Sequence, residues 1–233
     1  MPEIFKRNEK YDIESENVNY LDNGNMQATI NYLCDEIKPE DIFIDIGAHI
    51  GCVFIEVVDR AKPVMAYAFE PTPFSFLLLQ KNCKRNLKTP YKLINKAVVD
   101  YRGEIDFFQA DWGSPSNTAV DRFEGKIRPI CIPCIDLNSI KFGDANLVLK
   151  VDAELSEPKI WAGLTKHIPK IKFMTMEWFN QALVETKTDR LPVLAQIRAA
   201  GFNIYDIERG LGHKVTDDYI LGSAKIDLLI TRE

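Results

Sequence analysis

The sequence predicts an α/β fold in which helices cover both faces of a parallel sheet. The main observation is that short apolar runs rich in β-branched residues alternate along the chain with amphipathic, helix-like stretches. A second observation is size, because 233 residues with 46% hydrophobic and 27% charged side chains suit one globular unit with a sizeable core. The apolar stretches, such as Phe74 to Leu79, are far shorter than the roughly 18 residues of a membrane span.

Seven strands and five helices are predicted. The strands lie at 42–45, 64–70, 91–98, 146–151, 172–177, 203–207 and 226–231. The helices lie at 26–37, 51–60, 73–86, 158–165 and 191–200, and Gly201 follows the last of them as a helix stop. An insertion at 103–136 holds strand-like pieces at 104–109 and 127–135 around a polar loop. This loop is either a lid or substrate contact, or a solvated excursion without function.

The acidity of the chain lies in its N-terminal segment. Residues 1–40 hold nine acidic and four basic residues, a balance of −5 that equals the net charge of the whole sequence. We predict 1–40 to be an acidic helical segment of the same domain as 41–233, which contains the insertion. The other residues carry 25 charges of each sign, so we expect no basic face for nucleic acid.

The start of the sequence and its cysteines predict a soluble, cytoplasmic protein with no membrane partner. The first residues lack the apolar stretch of a secretory signal. The five cysteines are odd in number and scattered, which is typical of a reducing compartment. Cys131 and Cys134 have a metal-like spacing, but residues three apart on a strand point to opposite faces, so we interpret this pair as structural.

The most informative stretch is DIFIDIGAHIGCVFIEVV, from Asp41 to Val58. An apolar strand runs into Asp45, the chain passes Gly47 and Gly51, and an apolar helix follows. Glycine lets the backbone turn sharply and approach a ligand closely. A dinucleotide loop would read GxGxxG, whereas this one reads DxGxxxG. Because a carboxylate repels phosphate and attracts a sulfonium group, the pattern favours S-adenosylmethionine over NAD.

Glu70 ends the next predicted strand, within AYAFEPTPFSF, 25 positions after Asp45. An acidic side chain at this place can accept hydrogen bonds from both ribose hydroxyls of a nucleoside. The alternative is that Glu70 only caps the helix that Pro71 and Pro73 open.

Taken together, these blocks resemble the FkbM-type family of class I methyltransferases. The resemblance is carried by DIGAHIG at 45–51, AFEPTP at 68–73, LINKAVVD at 93–100, CIDLNSI at 134–140, LKVDAELSEPKIWAGL at 149–164 and MTMEW at 174–178. It implies a Rossmann-like three-layer αβα sandwich with a seven-stranded, mostly parallel sheet whose last strand is antiparallel. It also implies O-methylation with S-adenosylmethionine, often of a hydroxyl on a sugar or a natural product.

The resemblance also implies roles for individual residues. Contacts to the methionine part of the cofactor would come from Asp45, Gly47, Ala48 and Gly51, and His49 in the same loop would also bind the cofactor. Contacts to the ribose would come from Glu70 beside Pro71, those to the adenine from Asn95 and Ala97, and those at the reacting end from Asp152 and Glu154. Two residues depart from the family pattern. His49 stands where the family usually has asparagine, and Leu155 stands where it has glycine.

The residues near Asp152 point to the same place without the resemblance. The apolar run at 147–151 predicts a buried strand, and Asp152 emerges at its carboxyl end beside the expected cofactor loop. Methyl transfer to a hydroxyl is helped by a base, so Asp152 and Glu154 are the candidate catalytic residues, with His49 and His213 as further candidates. Alternatively, Asp152 contacts the cofactor and Glu154 caps a helix.

A metal site is a further alternative, since Asp152, Glu177 and Asn180 follow or end neighbouring strands and could hold Mg²⁺. The resemblance does not require it, so we do not expect a divalent metal. We expect an S-adenosylmethionine-dependent O-methyltransferase acting on a hydroxyl of a saccharide or glycosylated small molecule. The competing hypothesis, motivated by Leu155, is a non-catalytic binding protein with the same fold.

Overall fold

The apolar runs of the sequence form the strands of the computed structural model, which describes residues 2–16, 26–108, 129–180 and 191–232. The strands are β1 (Glu3–Arg7), β2 (Tyr11–Ser15), β3 (Ile42–Ile46), β4 (Met65–Phe69), β5 (Tyr91–Ile94), β6 (Ala97–Val98), β7 (Gly103–Phe107), β8 (Ile130–Ile135), β9 (Leu147–Val151), β10 (Ile171–Phe179), β11 (Asn203–Asp206) and β12 (Lys225–Thr231). The helices are α1 (Gln27–Glu36), α2 (Cys52–Ala61), α3 (Pro73–Asn86), α4 (Glu157–Ala162), α5 (Leu191–Ala199) and α6 (Asp217–Gly222).

Seven strands form one sheet in the order β5-β4-β3-β9-β10-β12-β11. The pairs β4–β5, β3–β4, β3–β9 and β9–β10 are parallel, whereas β12 runs antiparallel to both β10 and β11. This confirms the predicted α/β sandwich with a mostly parallel sheet and an antiparallel last strand. Because the parallel strands share one direction, their carboxyl ends meet at one edge of the sheet.

Side chains of the central strands alternate between two hydrophobic clusters, one on each face of the sheet. On β3, Ile42 and Ile44 belong to the cluster that contains residues of α4 and α5, while Phe43 belongs to the cluster that contains residues of α1, α2 and α3. Such alternation is the period-2 geometry of a strand. Both faces are therefore buried, which is why these strands read as continuous apolar runs.

The N-terminal segment differs from its prediction. Glu3–Arg7 pairs antiparallel with Tyr11–Ser15, so this part of the segment is a β-hairpin rather than the helix we predicted. Tyr11 and Ile13 are buried on one face of the hairpin, and Arg7 forms a 3.0 Å ion pair with Glu56 of α2. Packing against α2 and α3 outweighs the weak local preference of this short stretch. The helical prediction holds for Gln27–Glu36, which is α1.

The third predicted strand and the insertion after it also differ from their prediction. The third predicted strand ends at Ile94, and Ala97–Val98 instead joins a separate three-stranded sheet of order β6-β8-β7. The polar loop in the middle of the insertion, either a lid or substrate contact or a solvated excursion, lies within 109–128, outside the described residues. Helix α6 is not predicted, because six residues are too few for a helical period to be recognised.

Within the described ranges, no helix combines the length and apolar character needed to cross a bilayer.

Candidate functional site

A cavity of about 310 Å³ opens where the carboxyl ends of β3, β4, β9 and β10 meet the small sheet. It is the place that open α/β sheets use for ligands. Its charged and polar lining residues are His49, Glu70, Thr72, Lys96, Asp152, Glu154, Ser156, Glu177 and Lys225, and its lining also includes Gly47, Pro71, Ala97 and Phe107. Most of the residues that the sequence predicts for a cofactor and for catalysis therefore meet in one cavity.

Gly47 shapes the cavity through its backbone. Its φ is +82°, and a Cβ atom added there would lie 1.8 Å from the carbonyl oxygen of Asp152. The N–H groups of Gly47 and Ala48 both donate to the carbonyl of Phe69, and the N–H of Asp152 donates to Ile46. The loops after β3, β4 and β9 are thus joined by backbone hydrogen bonds, and only glycine fits at their closest approach.

His49 also has a left-handed backbone, with φ of +51°. Histidine tolerates this conformation better than most residues, as does asparagine, the residue that the resemblance leads us to expect here. The N–H of His49 donates to Oε2 of Glu70 at 2.8 Å. Gly51 begins α2 with φ of +94°, and a Cβ there would lie 2.7 Å from Leu79.

Glu70 is held from both sides and faces the cavity. Its Oε1 accepts the N–H of Thr72 at 2.8 Å, so the capping role foreseen as an alternative is present alongside the bond from His49. Only 5% of the residue is exposed. Burial raises the pKa of Glu70 to about 7, although the two backbone N–H groups act in the opposite direction. Because a carboxylate oxygen can accept more than one hydrogen bond, Glu70 can also accept a ligand hydroxyl.

Asp45 does not line the cavity. It is fully buried, and its Oδ1 accepts a 3.0 Å hydrogen bond from Lys150, whose ammonium also lies 3.4 Å from Asp152. Burial raises the pKa of Asp45, and Lys150 opposes that change. Burial alone would lower the pKa of Lys150, but Asp45 and Asp152 together raise it. Asp45 therefore reaches the cavity through Lys150 and Asp152.

Of the two residues predicted to contact the adenine, only one lines the cavity. Ala97 lines the cavity, but the side chain of Asn95 donates to the carbonyls of Glu70 and Pro71, at 2.8 and 3.0 Å. Asn95 thus fixes the turn after β4 instead of lining the cavity. Ala48 is buried beneath the loop.

Three carboxylates cluster at the other end of the cavity. Asp152, Glu154 and Glu177 each offer an oxygen, and these atoms lie within 4.8 Å of one another. Burial raises the pKa of Glu177 to about 8, and Asp152 and Glu154 add to the increase while Lys225, at 2.5 Å, opposes it. The three residues could accept a proton or hold a cation.

Asn180 does not join this cluster. Its amide donates to the carbonyls of Ile220 and Ser223, and its oxygen accepts the indole N–H of Trp178 at 2.8 Å. The acidic set that could bind a metal therefore contains Glu154 in place of Asn180. His213 is also outside the cavity, packed against Tyr219 with ring centroids 5.5 Å apart.

The backbone around the cluster is left-handed at two successive residues, Glu154 with φ of +47° and Leu155 with φ of +77°. Leu155 thus keeps the conformation that glycine adopts most easily, and its side chain is buried. The chain path expected for a glycine is retained despite the larger side chain.

Sequence reasoning missed Lys150 and Lys225 and considered Glu177 only as a metal ligand. A signal for Lys150 exists, because a lysine inside a buried strand needs a charged partner. Lys225 begins a strand far along the chain from Glu177, and its ion pair becomes visible only when β10 and β12 lie side by side.

Comparisons with known proteins identify the fold. Neither the family models nor the curated proteins match this sequence. Among solved structures, TYW2 of M. jannaschii, in complex with AdoMet, is similar with a TM-score of 0.51 and 14% identity over 98% of this chain and 84% of that chain. An rRNA methylase of Streptococcus thermophilus is similar with a TM-score of 0.50 and 8% identity, over 88% of this chain and 95% of that chain. Magnesium protoporphyrin IX methyltransferase of Synechocystis, with bound SAM, is similar with a TM-score of 0.50 and 9% identity, over 90% of this chain and 79% of that chain.

The chain has the class I methyltransferase fold. In this fold the cavity lies at the carboxyl edge of the sheet, where Gly47 and Glu70 face Asp152 and Glu177. The similar structures carry different activities in their names, an rRNA methylase and a porphyrin methyltransferase among them. The fold alone therefore does not select the acceptor.

Proposed function

We propose that this protein is an S-adenosylmethionine-dependent O-methyltransferase of FkbM type, which methylates a hydroxyl of a saccharide or glycosylated small molecule. The single observation that carries the proposal is one cavity bounded by Glu70 at one end and by Asp152, Glu154 and Glu177 at the other. The first end suits a ribose, and the second suits a cationic sulfonium and a hydroxyl that loses a proton.

The residues present fit this cofactor. The glycine at 47 brings the backbone of the first loop against that of Asp152. Glu70 has two oriented oxygens for two ribose hydroxyls, and His49 and Pro71 line the cavity beside it, where the adjoining parts of a nucleoside would lie. No phosphate would be favoured near these carboxylates, which supports S-adenosylmethionine over a dinucleotide.

Bound S-adenosylmethionine would supply an electrophilic methyl group on a positively charged sulfur. The chain would orient the acceptor hydroxyl and remove its proton. Asp152 and Glu154 remain our candidate bases, and Glu177 joins them because it lines the same cavity with a pKa of about 8. Lys225 at 2.5 Å already offsets the charge of Glu177, so a divalent metal is not part of the proposal.

A non-catalytic binding protein with this fold is the second candidate, motivated by Leu155. The left-handed backbone of Leu155 favours the enzyme, because the loop that carries Asp152 and Glu154 keeps its glycine-like path. All five cysteines are free thiols, which supports the cytoplasmic location we propose.

The experiment is calorimetric titration of the full chain with S-adenosylhomocysteine, S-adenosylmethionine and NAD⁺. We expect micromolar binding of the first two and none of NAD⁺. Glu70→Ala should weaken binding by at least about tenfold, because two charged hydrogen bonds are lost. Asp144→Asn, which alters an exposed carboxylate paired with Lys170, is the matched control and should bind as wild type does.

Two outcomes would contradict the proposal: wild-type protein that binds neither sulfur cofactor, or a Glu70→Ala variant that binds as tightly as wild type. The candidate bases are tested with Asp152→Ala and Glu154→Ala. Normal turnover with unchanged cofactor affinity in both would rule out their catalytic role.

A further inference from the structure

A second cavity, of about 330 Å³, opens beside the first at the corner between the end of β11, helix α6 and the start of β12. Its lining is almost entirely polar and consists of Asp206, Glu208, Arg209, Tyr219, Ser223, Lys225, Ile226 and Asp227. None of these residues is used in the function proposed above except Lys225, which pairs with Glu177.

Lys225 joins the two cavities, because it lines both of them. Its ammonium lies 2.5 Å from Glu177, which belongs to the carboxylate cluster of the first cavity. Glu177 lies opposite Asp227 in the register of β10 and β12. A ligand that filled the second cavity would therefore extend directly toward the carboxylates that we assign to proton removal.

The second cavity has a preorganised wall. Oδ2 of Asp206 accepts the hydroxyl of Tyr219 at 2.9 Å, and its Oδ1 accepts the N–H of Glu208 at 3.0 Å. The guanidinium of Arg209 lies 5.4 Å from the centre of the Tyr219 ring. These contacts hold a carboxylate, a guanidinium and a phenol in a fixed arrangement around the cavity.

Asp227 belongs to the buried side of the wall of this cavity. It lines this cavity, only 9% of it is exposed, and its Oδ1 has no hydrogen-bond partner among the described residues. Its Oδ2 accepts a long, 3.4 Å bond from Thr29. Because that Oδ1 atom is itself buried, Asp227 adds negative charge beside the cavity rather than an open acceptor for a ligand.

The charges of the lining select the kind of ligand. Three carboxylates, from Asp206, Glu208 and Asp227, outnumber the two cations of Arg209 and Lys225, so a phosphate or carboxylate ligand is disfavoured. Hydroxyl groups satisfy both sets, because they donate to carboxylates and accept from ammonium and guanidinium groups.

We propose that the second cavity binds an uncharged, hydroxyl-rich ring, a saccharide unit of the acceptor, and that Lys225 marks its junction with the methyl-transfer cavity. The proposal rests on the function proposed above, since it assigns the place of that function's acceptor. Tyr219 and Arg209 are then specificity-determining residues.

The test is saturation-transfer NMR with the methyl glycosides of glucose, galactose, mannose and rhamnose, measured on the full chain with and without S-adenosylhomocysteine. At least one glycoside should bind, and its affinity should fall about fivefold in Tyr219→Phe and in Arg209→Ala, as expected for one lost hydrogen bond. Asp144→Asn, at a fully exposed carboxylate, should bind as wild type does. Calorimetry with S-adenosylhomocysteine on each variant checks that it is folded.

The proposal is overturned if none of the four glycosides binds, or if binding is undiminished in both cavity variants. Inorganic phosphate is the competing probe, and phosphate binding that is stronger than glycoside binding and lost in Arg209→Ala would also overturn it. Failure of the proposed function has a different signature, in which wild-type protein binds a glycoside but not S-adenosylhomocysteine.

Discussion

The wall of the first cavity formed by the 47–51 loop and Glu70 is held by backbone hydrogen bonds, whereas the opposite wall, Asp152, Glu154 and Glu177, is surrounded by charged side chains. We call these the backbone wall and the charged wall. The backbone wall accommodates one shape, because Gly47 leaves no room for a Cβ. The charged wall depends on Lys150, from the strand that leads into Asp152, and on Lys225, which reaches Glu177 from β12.

This difference teaches how each wall responds to change. A substitution at Gly47 in the backbone wall should act sterically and independently of pH, because the bonds of Gly47 and Ala48 to Phe69 join uncharged peptide groups. The charged wall should fail electrostatically and respond to pH, because carboxylates with raised pKa values lose protons near neutrality. Substitutions in the two walls can therefore be distinguished by a pH series.

The largest effect is expected for Gly47→Ala in the backbone wall. The new methyl would lie 1.8 Å from the carbonyl oxygen of Asp152, at a φ that disfavours any Cβ. We expect the free energy of unfolding to fall by about 3 to 5 kcal/mol, with loss of S-adenosylhomocysteine binding. Urea unfolding at pH 5 and pH 8 measures this, and the loss should be the same at both.

Gly143→Ala is the matched control for this prediction. Gly143 has a similar φ of +74°, but no atom lies within 4 Å of an added Cβ. Only the conformational cost remains, about 1 to 2 kcal/mol. Equal losses at the two glycines would show that close packing does not define the backbone wall.

The two walls also differ in how far the sequence predicts them. The strands of the large sheet are predictable because both of their faces are buried and their sequences are therefore apolar throughout. The backbone wall is predictable because its shape depends on short sequence patterns, DxGxxxG and the strand that ends at Glu70. The pairing of Lys225 with Glu177 depends on strand order, which no local pattern records. The hairpin at Glu3–Ser15 is stabilised by α2 and α3, and a helical prediction for that stretch was wrong for the same reason.

The charged wall gives the next largest effect, through Glu177→Gln. Between its ordinary value of 4.5 and about 8, folded Glu177 keeps its proton while the unfolded chain releases it. The folded state then binds more protons, so wild-type stability falls as the pH rises through this window. The variant lacks this titration, and its stability should fall less between pH 5 and pH 8, by on the order of 2 kcal/mol.

Urea unfolding across that pH range measures the slope. Glu70, with a pKa of about 7, contributes to the slope in the same direction, so Glu177→Gln should flatten the curve without abolishing it. Glu40→Gln removes an exposed charge outside the cavity and controls for the change in net charge. The same flattening in both variants would mean that the slope reflects overall charge and not the charged wall.

The smallest effect is expected at Leu155, where the loop that carries the charged wall has a left-handed backbone. Its φ of +77° penalises any residue with a Cβ, while burial of its side chain stabilises the fold. Leu155→Ala and Leu155→Gly both lose the burial of the leucine side chain. Only glycine removes the conformational cost of the positive φ, so the glycine variant should be more stable than the alanine variant by about 1 kcal/mol. At the exposed Leu221 in helix α6, the same pair of variants should show the opposite order, because alanine favours a helix. If alanine is the better residue at both positions, the left-handed turn is not what holds Asp152 and Glu154 in the cavity, and the loop must be fixed by the packing of Leu155 alone.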